Sequence, residues 1–222
     1  FAACKDSDVI LPGKREPISN FYKKTSHNFD KKVENRSLAF RPPKKRLNKN
    51  WVQGNGSPMY RTSNPALSQE ANLFWSTQIG AGDSKRVRIT ADLVVSEGKI
   101  FTLDSQMVLT ATSNTGKRLW SKDLTPKGER TGQADGGGLA LGGKRLFVST
   151  GYGILYSLDP KTGKEYWRQS LLGSGNSQPA YHKGLVYLIS NDTTSWAIEA
   201  QTGRIKWQKN GLADRNNLAG SV

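Results

Sequence analysis

The sequence has little of what a disulfide-bonded, metal-binding or membrane-spanning protein requires. Its 222 residues include one cysteine, Cys4, and two histidines, His27 and His182. A single cysteine excludes an intrachain disulfide, and no cysteine–histidine cluster has the spacing of zinc ligands. No apolar run approaches the roughly 20 residues of a membrane-spanning helix. With 35% hydrophobic and 23% charged residues, the composition suits a globular domain better than a membrane span.

Catalytic motifs are equally scarce. No Gly-x-Ser-x-Gly nucleophile elbow occurs, and the acidic residues stand singly in turn-like sequence. The stretch 138–144 matches the first seven positions of a phosphate-binding loop, but Arg145 stands where serine or threonine would ligate magnesium. The strand-like Leu146-Phe147-Val148 then follows where the motif requires a helix. We therefore expect no catalytic residue, no bound cofactor and no metal site.

Positive charge is abundant and uneven. The chain carries 33 Lys and Arg against 18 Asp and Glu, a net charge of +15. Residues 1–50 hold 13 of these cations and 5 of the anions, giving +8, and the remaining residues hold 20 and 13, giving +7. Such cations attract nucleic-acid phosphates and anionic membrane surfaces alike. Because no recognition motif occurs and Lys44-Lys45-Arg46 is not interleaved with aromatic residues, we expect no nucleic-acid partner.

One pattern, Thr-Gly-x-x-x-Trp, occurs three times in this chain. The three tryptophans are 47 and 40 residues apart, and Trp75 precedes the first of them by 45 residues. A repeat of this length indicates a modular array. The repeated glycines and tryptophans are Gly116 with Trp120, Gly163 with Trp167, and Gly203 with Trp207.

Each repeat unit contains four short apolar runs separated by Gly, Asp, Asn or Ser turns, and no window of a dozen residues keeps a helical period. Four strands in 40 to 47 residues match a β-propeller blade. The predicted fold is therefore all-β, a propeller of four-stranded blades. In chain order, the predicted strands include residues 93–95, 100–103, 108–111, 119–120, then 139–141, 146–149, 155–158, 166–167, then 179–181, 186–189, 195–198 and 206–207.

The repeated Thr-Gly and Trp have a structural interpretation. Gly adopts positive φ at little steric cost, so each Thr-Gly is expected in the tight hairpin between the third and fourth strands of a blade. The Trp four residues later is large and flat enough to fill the gap to the next blade. We interpret these residues as structural and not as a cofactor site.

The number of blades is too small for a closed ring. Propellers close with about four to eight blades, and the sequence from residue 71 to 222 supplies about three. The sequence Leu73-Phe74-Trp75-Ser76 resembles the fourth strand of a blade, but the residues before it do not have the pattern of that blade's first three strands. We expect an incomplete ring of about three blades plus one leading strand, and hence a piece of a longer protein or a truncated product.

Residues 1–70 differ from the rest of the chain in being basic and poor in apolar clusters. The Pro-Pro of Arg41-Pro42-Pro43-Lys44-Lys45-Arg46 disfavours helix and sheet, which predicts a largely extended tether with local docking around Trp51 and Met59-Tyr60. Its first residues, Phe1-Ala2-Ala3-Cys4, resemble the end of a bacterial lipoprotein signal. This likeness makes Cys4 the candidate lipidation site, since acyl chains anchor a protein through their buried methylenes.

The repeat Ser157-Leu158-Asp159-Pro160-Lys161-Thr162-Gly163-Lys164-Glu165-Tyr166-Trp167 resembles the PQQ-like (quinoprotein-like) β-propeller repeat. The layout is similar to the outer-membrane assembly lipoprotein BamB family in its alphaproteobacterial form. The matching pieces are Phe74–Gly80, Leu124–Arg130, Gly136–Ala140 and the start at Cys4. The resemblance covers about residues 72–222.

The resemblance implies a non-enzymatic scaffold that carries lipid at Cys4 on the periplasmic face of the outer membrane. It implies binding to periplasmic domains of the β-barrel insertase and to unfolded outer-membrane protein clients. Lys5 is not the Asp that retains some lipoproteins in the inner membrane. The family's insertase contact, around a Leu-Arg-Gly, matches Leu218 and Gly220 here, whereas Ala219 lacks the cation. An alternative for Leu218 is an ordinary buried anchor.

Two other kinds of protein contain the same repeat and offer alternative functions. The first is a fragment of a quinoprotein dehydrogenase, an enzyme that holds its quinone and calcium with acidic, Asn and Arg residues, often beside a vicinal cysteine pair. No such pair occurs here. The second is the propeller sensor of a larger receptor, which would carry a membrane span elsewhere.

Overall fold

The structure, a computed structural model, describes residues 39, 41–59, 61–70, 72–171, 173–175 and 177–211. The chain divides into two compact units, Phe1–Arg41 and Pro42–Val222, and nearly all described residues belong to the second. Apart from one short 3-10 turn, the regular structure in these ranges is β-strand. No helix among the described residues is long and apolar enough to cross a bilayer.

The first sheet is a four-stranded antiparallel meander. Its strands are β1 (Val94–Ser96), β2 (Lys99–Leu103), β3 (Val108–Ser113) and β4 (Arg118–Asp123). Each strand pairs with the one before it in the order β1-β2-β3-β4. This is the connection expected where successive apolar runs are separated by short Gly- and Asp-containing turns.

Two further sheets repeat the same meander, so the three-blade, all-β prediction is confirmed. Each is again antiparallel and ordered as in the sequence. The strands of the second sheet are β5 (Gly137–Gly142), β6 (Arg145–Thr150), β7 (Ile154–Leu158) and β8 (Glu165–Ser170); those of the third are β9 (Ala180–His182), β10 (Leu185–Ile189), β11 (Thr194–Glu199) and β12 (Ile205–Asn210).

The second sheet lies between the other two, and this position explains its composition. Strand β5 contacts β1 and β2 on one side and β9 on the other. A strand covered on both faces favours a continuous apolar run over an alternating one, and five of the six residues of β5 are buried. One apolar cluster, including Phe101 and Leu139, joins the first two sheets, and a second, including Phe147 and Trp196, joins the second to the third.

Within each sheet a small residue on the third strand separates two aromatic rings. In the first sheet Ala111 is opposite both Phe101 and Trp120, whose ring centroids are 6.0 Å apart. The same arrangement places Ser157 between Phe147 and Trp167, and Ala197 between Tyr187 and Trp207. A register shift follows each small residue, between positions 111/112, 157/158 and 197/198.

The tryptophan of each repeat packs against the Thr-Gly of the next. A Cβ placed on Gly116, Gly163 or Gly203 would lie 3.0 Å from Trp75, 2.9 Å from Trp120 or 2.7 Å from Trp167, respectively. All three glycines have φ between 70° and 83°, a range that side chains other than Gly rarely adopt. Glycine is therefore required at these positions both for its backbone conformation and for its lack of a side chain.

The leading segment around Trp75 differs from the prediction of a fourth strand. Residues 72–79 carry no strand. The segment is held by side chains: the indole N–H of Trp75 donates to the Asn114 carbonyl at 2.9 Å, and the Thr110 hydroxyl donates to the Ile79 carbonyl at 3.3 Å. In the described part of the chain no strand pairs with this segment through backbone hydrogen bonds.

Candidate functional site

The most distinctive site in the described residues is formed by the tether, where Trp51 pairs with the free edge of the first sheet. Trp51 and Val95 form an antiparallel bridge in which each backbone N–H donates to the other's carbonyl at 2.7 Å. The Asn50 side chain accepts from the Glu97 backbone N–H at 3.3 Å. The docking predicted around Trp51 thus occurs as backbone pairing, whereas Met59 remains 74% exposed.

The next two residues reach the other two sheets. The Val52 carbonyl accepts from the Leu141 N–H of β5 at 2.6 Å, and the Gln53 side-chain carbonyl accepts from the Tyr181 N–H of β9 at 2.9 Å. Gln53 is 2% exposed. Three consecutive residues therefore bind the first strands of all three sheets, and we name this set of contacts the first-strand site.

A tight turn directs the chain away from the first-strand site. Asn55 and Gly56 have φ of 53° and 76°, within a 3-10 turn over Gly54–Gly56. The Trp51 ring lies against Gly56, where an added Cβ would be 3.0 Å away. The sequence Gly-Asn-Gly supplies the residue types that accept positive φ, so the turn and the docked tryptophan form one local unit.

The opposite edges of the sheets are formed by the fourth strands. Exposed and partly buried residues alternate along β4 and β8, and all six residues of β12 are exposed. These strands pair with a neighbour on one side only, so their outer backbone groups can pair with another extended chain. We name β4, β8 and β12 the outer edges.

The third sheet also presents an aromatic surface. Trp207 is 40% exposed and Ile205 is 41% exposed. Trp207 differs from Trp120 and Trp167 because no glycine of a following repeat lies against its ring within the described residues. Trp207 occupies the position from which Trp120 and Trp167 contact the glycine of the following repeat.

Two carboxylates have perturbed pKa values, and both stabilise turns. Hydrogen bonds from the Lys161 backbone N–H and the Tyr166 hydroxyl lower the pKa of Asp159. Burial opposes ionisation of Asp192, but hydrogen bonds from Ser190 and Thr194 outweigh it and lower the pKa of that carboxyl. The Asp192 carboxylate is thus engaged by groups of its own turn, and the Asp159 carboxylate by its turn and by Tyr166 of β8.

The described residues hold no group of three or more His, Cys, Asp or Glu side chains that could bind a metal ion. His182 ends β9, and the glycine-rich stretch that resembles a phosphate-binding loop lies largely in strand β5.

Several predicted site residues lie outside the described residues. These are the lipidation candidate Cys4 and the partner-binding candidates Leu218 and Gly220. The repeat residues, in contrast, are all described. The first-strand site was only partly predicted: docking was expected around Trp51 and around Met59-Tyr60, of which Tyr60 lies outside the described residues, and nothing about Gln53 marked it as a buried acceptor.

Comparison with solved structures supports the propeller fold. The chain is similar to the quinohaemoprotein alcohol dehydrogenase of Comamonas testosteroni, with a TM-score of 0.60 and 24% identity, covering 73% of this chain and 27% of that one. It also resembles a europium-containing methanol dehydrogenase, with a TM-score of 0.53 and 18% identity, covering 73% of this chain and 32% of that one. Likenesses at this identity concern the fold alone.

Comparison with curated sequences gives more specific relatives. The outer membrane protein assembly factor BamB of Yersinia pestis is 24% identical over 61% of this chain and 36% of its own length. An uncharacterised protein of Rickettsia prowazekii is 30% identical over 71% of this chain and 37% of its own length. The chain thus spans about a third of the length of these relatives.

The family model described as outer membrane protein assembly factor BamB matches residues 104–222. This range is more than half of the chain and includes the last strands of the first sheet and all strands of the other two. On the strength of this match, the chain belongs to the BamB family of outer-membrane protein assembly factors.

Proposed function

We propose that this chain is part of a non-enzymatic accessory lipoprotein of the outer-membrane β-barrel assembly complex. It binds the periplasmic domains of the insertase and assists the insertion of unfolded outer-membrane proteins. The observation that carries the proposal is the family match over residues 104–222. Because the chain spans about a third of its relatives' length, the proposal concerns the contribution of these three sheets to a larger protein.

The first-strand site supports a role in binding extended chains. Residues 51–53 show that the edges of these sheets accept hydrogen bonds from, and donate them to, a segment with no strand partner of its own. The outer edges β4, β8 and β12 offer the same backbone groups to other molecules. An unfolded outer-membrane protein consists of segments destined to become strands, and such segments bind sheet edges by β-augmentation.

Attachment to the membrane is assigned to Cys4 and the basic tether. Lipid on Cys4 holds the protein at the periplasmic face of the outer membrane, and the residues between Cys4 and the docked Trp51 link the anchor to the sheets. Leu218 and Gly220 are the proposed insertase contacts. Retention of the chain in the membrane fraction is expected to be lost in Cys4→Ala, and metabolic labelling with a fatty-acid analogue tests the modification directly.

Site-specific photo-crosslinking tests the outer-edge proposal. A benzoylphenylalanine introduced at Lys206, in the exposed strand β12, is expected to crosslink to the insertase or to client chains. The matched control places the same residue at Lys183, an exposed lysine in the turn between β9 and β10. Both replacements remove one positive charge from an exposed position. A difference in crosslinking yield therefore reflects the position of the introduced residue and not the loss of charge.

Equal crosslinking at the two positions, or no crosslink to insertase or clients at Lys206, would contradict the proposal. Failure of the full-length protein to co-purify with the insertase would contradict the wider assignment. The alternative of a dehydrogenase fragment predicts quinone-dependent reduction of a dye by the full-length protein supplied with PQQ and calcium. We expect no such reduction.

A further inference from the structure

A cleft of about 490 Å³ lies between the first and second sheets, at the end where their hairpin turns meet. It is lined by apolar side chains that include the buried Phe101 and Leu141, and by Val52 of the docked tether. Its charged lining residues are unbalanced. Four cations, Lys99, Lys144, Arg145 and Lys161, face two anions, Glu97 and Asp159, which gives a formal charge of +2 (4 minus 2).

Comparison of the two junctions between sheets shows why the cationic charge is unusual. At the junction of the second and third sheets, Arg145 at the start of β6 donates from Nε and Nη2 to the Gln201 side chain at 3.2 and 2.8 Å. At the junction of the first and second sheets, the equivalent positions hold Lys99 and Lys161. A cation and a neutral acceptor at one junction are thus replaced by two cations at the other.

Among the described residues, the lysines of the cleft take part in no ion pair. The ion pairs among the described residues join Arg88 to Asp83, and Lys122 and Arg168 to Glu165. None of them includes a cation of the cleft. The Asp159 carboxylate is engaged by its own turn, accepting from the Lys161 and Thr162 backbone N–H groups and from the Tyr166 hydroxyl.

One donor in the cleft is held in place without a partner. The Arg145 guanidinium stacks over the Tyr166 ring, with 4.0 Å between Cζ and the ring centroid, and two of its nitrogens are fixed by Gln201. Its third nitrogen, Nη1, is buried and has no hydrogen-bond partner in the described structure. A buried donor without an acceptor is costly. The guanidinium as a whole belongs to a residue that lines the cleft, and a fixed guanidinium is well suited to bind an oxyanion.

The junction between the first and second sheets also leaves an indole donor unused. Trp75 and Trp167 donate their indole N–H groups to the Asn114 and Ala200 carbonyls at 2.9 and 3.0 Å. The equivalent Trp120 Nε1 is buried and has no partner in the described structure. The junction between the first two sheets is therefore less completely closed by the protein than its neighbours.

We propose that this cleft binds a carboxylate of an extended acidic peptide. The Arg145 guanidinium and the ammonium groups of Lys99 and Lys161 receive the carboxylate, and Phe101 and Leu141 contact apolar parts of the same peptide. A peptide is favoured over a small inorganic anion because the cleft has apolar lining and because residues 51–53 already lead an extended backbone past it. The proposal rests on this geometry and does not depend on the assembly role.

Titrations of the whole chain, followed by NMR of its tryptophan side-chain N–H signals, test the proposal. The probes are acetyl-Leu-Glu-Leu-amide, its glutamine counterpart acetyl-Leu-Gln-Leu-amide, and inorganic phosphate. The glutamate peptide is expected to bind on the order of tenfold more tightly than the glutamine peptide, because hydrogen bonds to a charged group are the stronger ones. The Trp120 signal is expected to shift during the titration.

Three variants locate the binding. Lys161→Gln and Arg145→Gln are each expected to weaken binding of the glutamate peptide on the order of tenfold. Lys183→Gln, which removes the same charge from the exposed turn between β9 and β10, is expected to leave it unchanged. Since Arg145 also contacts Gln201, Lys161→Gln provides the test that does not disturb a junction between sheets.

Equal affinity for the two peptides would overturn the proposal, as would equal weakening by Lys183→Gln and Lys161→Gln. Phosphate binding as tight as that of the glutamate peptide would overturn the assignment to a peptide. These outcomes are independent of the crosslinking and co-purification results, so failure here leaves the assembly role standing.

Discussion

A Cβ atom on Gly163 would lie 2.9 Å from the ring of Trp120. The indole of one repeat thus touches the backbone of the next, and the same contact joins Trp75 to Gly116 and Trp167 to Gly203. Thr-Gly-x-x-x-Trp is therefore not a motif within one blade alone. The glycine of one repeat is contacted by the tryptophan of the repeat before it, and the tryptophan of that repeat contacts the glycine of the repeat after it.

Gly163→Ala is expected to destabilise the fold by two separable effects. The φ of 70° at Gly163 costs a side-chain-bearing residue about 1–2 kcal/mol, and displacement of the Trp120 ring adds about 1–3 kcal/mol. Gly184→Ala is the matched control, since its φ of 83° is similar but nothing lies within 4 Å of the added Cβ. Urea unfolding of both variants measures the difference. Equal losses of unfolding free energy would show that the tryptophan contact contributes nothing.

Ser157→Ala is expected to raise the free energy of unfolding by about 1 kcal/mol, because the Ser157 hydroxyl is buried without a hydrogen-bond partner. The equivalent positions in the other sheets are Ala111 and Ala197. Ser149→Ala is the control of opposite sign: the buried Ser149 hydroxyl donates to the Ser177 carbonyl at 2.7 Å, so its removal destabilises by about 1 kcal/mol or more. A loss of stability in Ser157→Ala would contradict this account.

Gln53→Ala is expected to release the tether from the third sheet. The variant leaves the Tyr181 N–H without its acceptor, which costs about 1–2 kcal/mol. Hydrogen exchange at the Tyr181 amide is expected to accelerate. Gln208→Ala, in exposed strand β12, is expected to change stability by less than about 0.5 kcal/mol. Unchanged exchange at Tyr181 would show that Gln53 does not hold the first-strand site together.

Asp159 is expected to make stability depend on pH in the acid range. Its pKa in the folded protein is lower than the ordinary value of 3.8, so the ionised carboxylate stabilises the fold at pH values above the unfolded pKa. That stabilisation is lost as the pH falls through the folded pKa. Asp159→Asn is therefore expected to be less stable than the parent at neutral pH, and the difference is expected to shrink below about pH 4.

The same variant has a readout at alkaline pH. The hydrogen bond to Asp159 is the main cause that raises the pKa of Tyr166 above 10.0. NMR titration of labelled tyrosine is expected to show that this pKa falls toward its ordinary value in Asp159→Asn. An unchanged Tyr166 titration, or a stability difference that grows on acidification, would contradict the hydrogen-bond arrangement around Asp159.

The repeat spacing was sufficient to predict the three sheets, because each strand pairs with its neighbour in sequence. All twelve predicted runs overlap strands, with Leu93 and Pro179 each lying one residue outside, and the Thr-Gly glycines have the positive φ that a hairpin favours. Local turn chemistry and alternation determine such pairings. The position of Trp120 against Gly163 also follows from the repeat, once each tryptophan is assigned to the gap between blades.

Non-local contacts could not be predicted in the same way. The hydrogen bond from Tyr181 to Gln53 joins residues 128 positions apart, and nothing in the sequence around Gln53 distinguishes it from an exposed glutamine. The strand predicted at Trp75 was inferred from its likeness to the fourth strands, but a strand needs a neighbour as well as a suitable sequence. The cationic lining of the cleft is recognised only when the residues at equivalent positions of the two junctions are compared. That comparison requires the register of the sheets.

The contact between tryptophan and glycine gives the array a direction. Each module presents an indole on one face and a bare backbone on the other, so two modules join in a single orientation, and two like faces do not fit. Whole modules can therefore be gained or lost by duplication and deletion without redesign of the junctions, while a partial module leaves one indole uncovered. Length variation among such proteins is accordingly expected in steps of one complete blade.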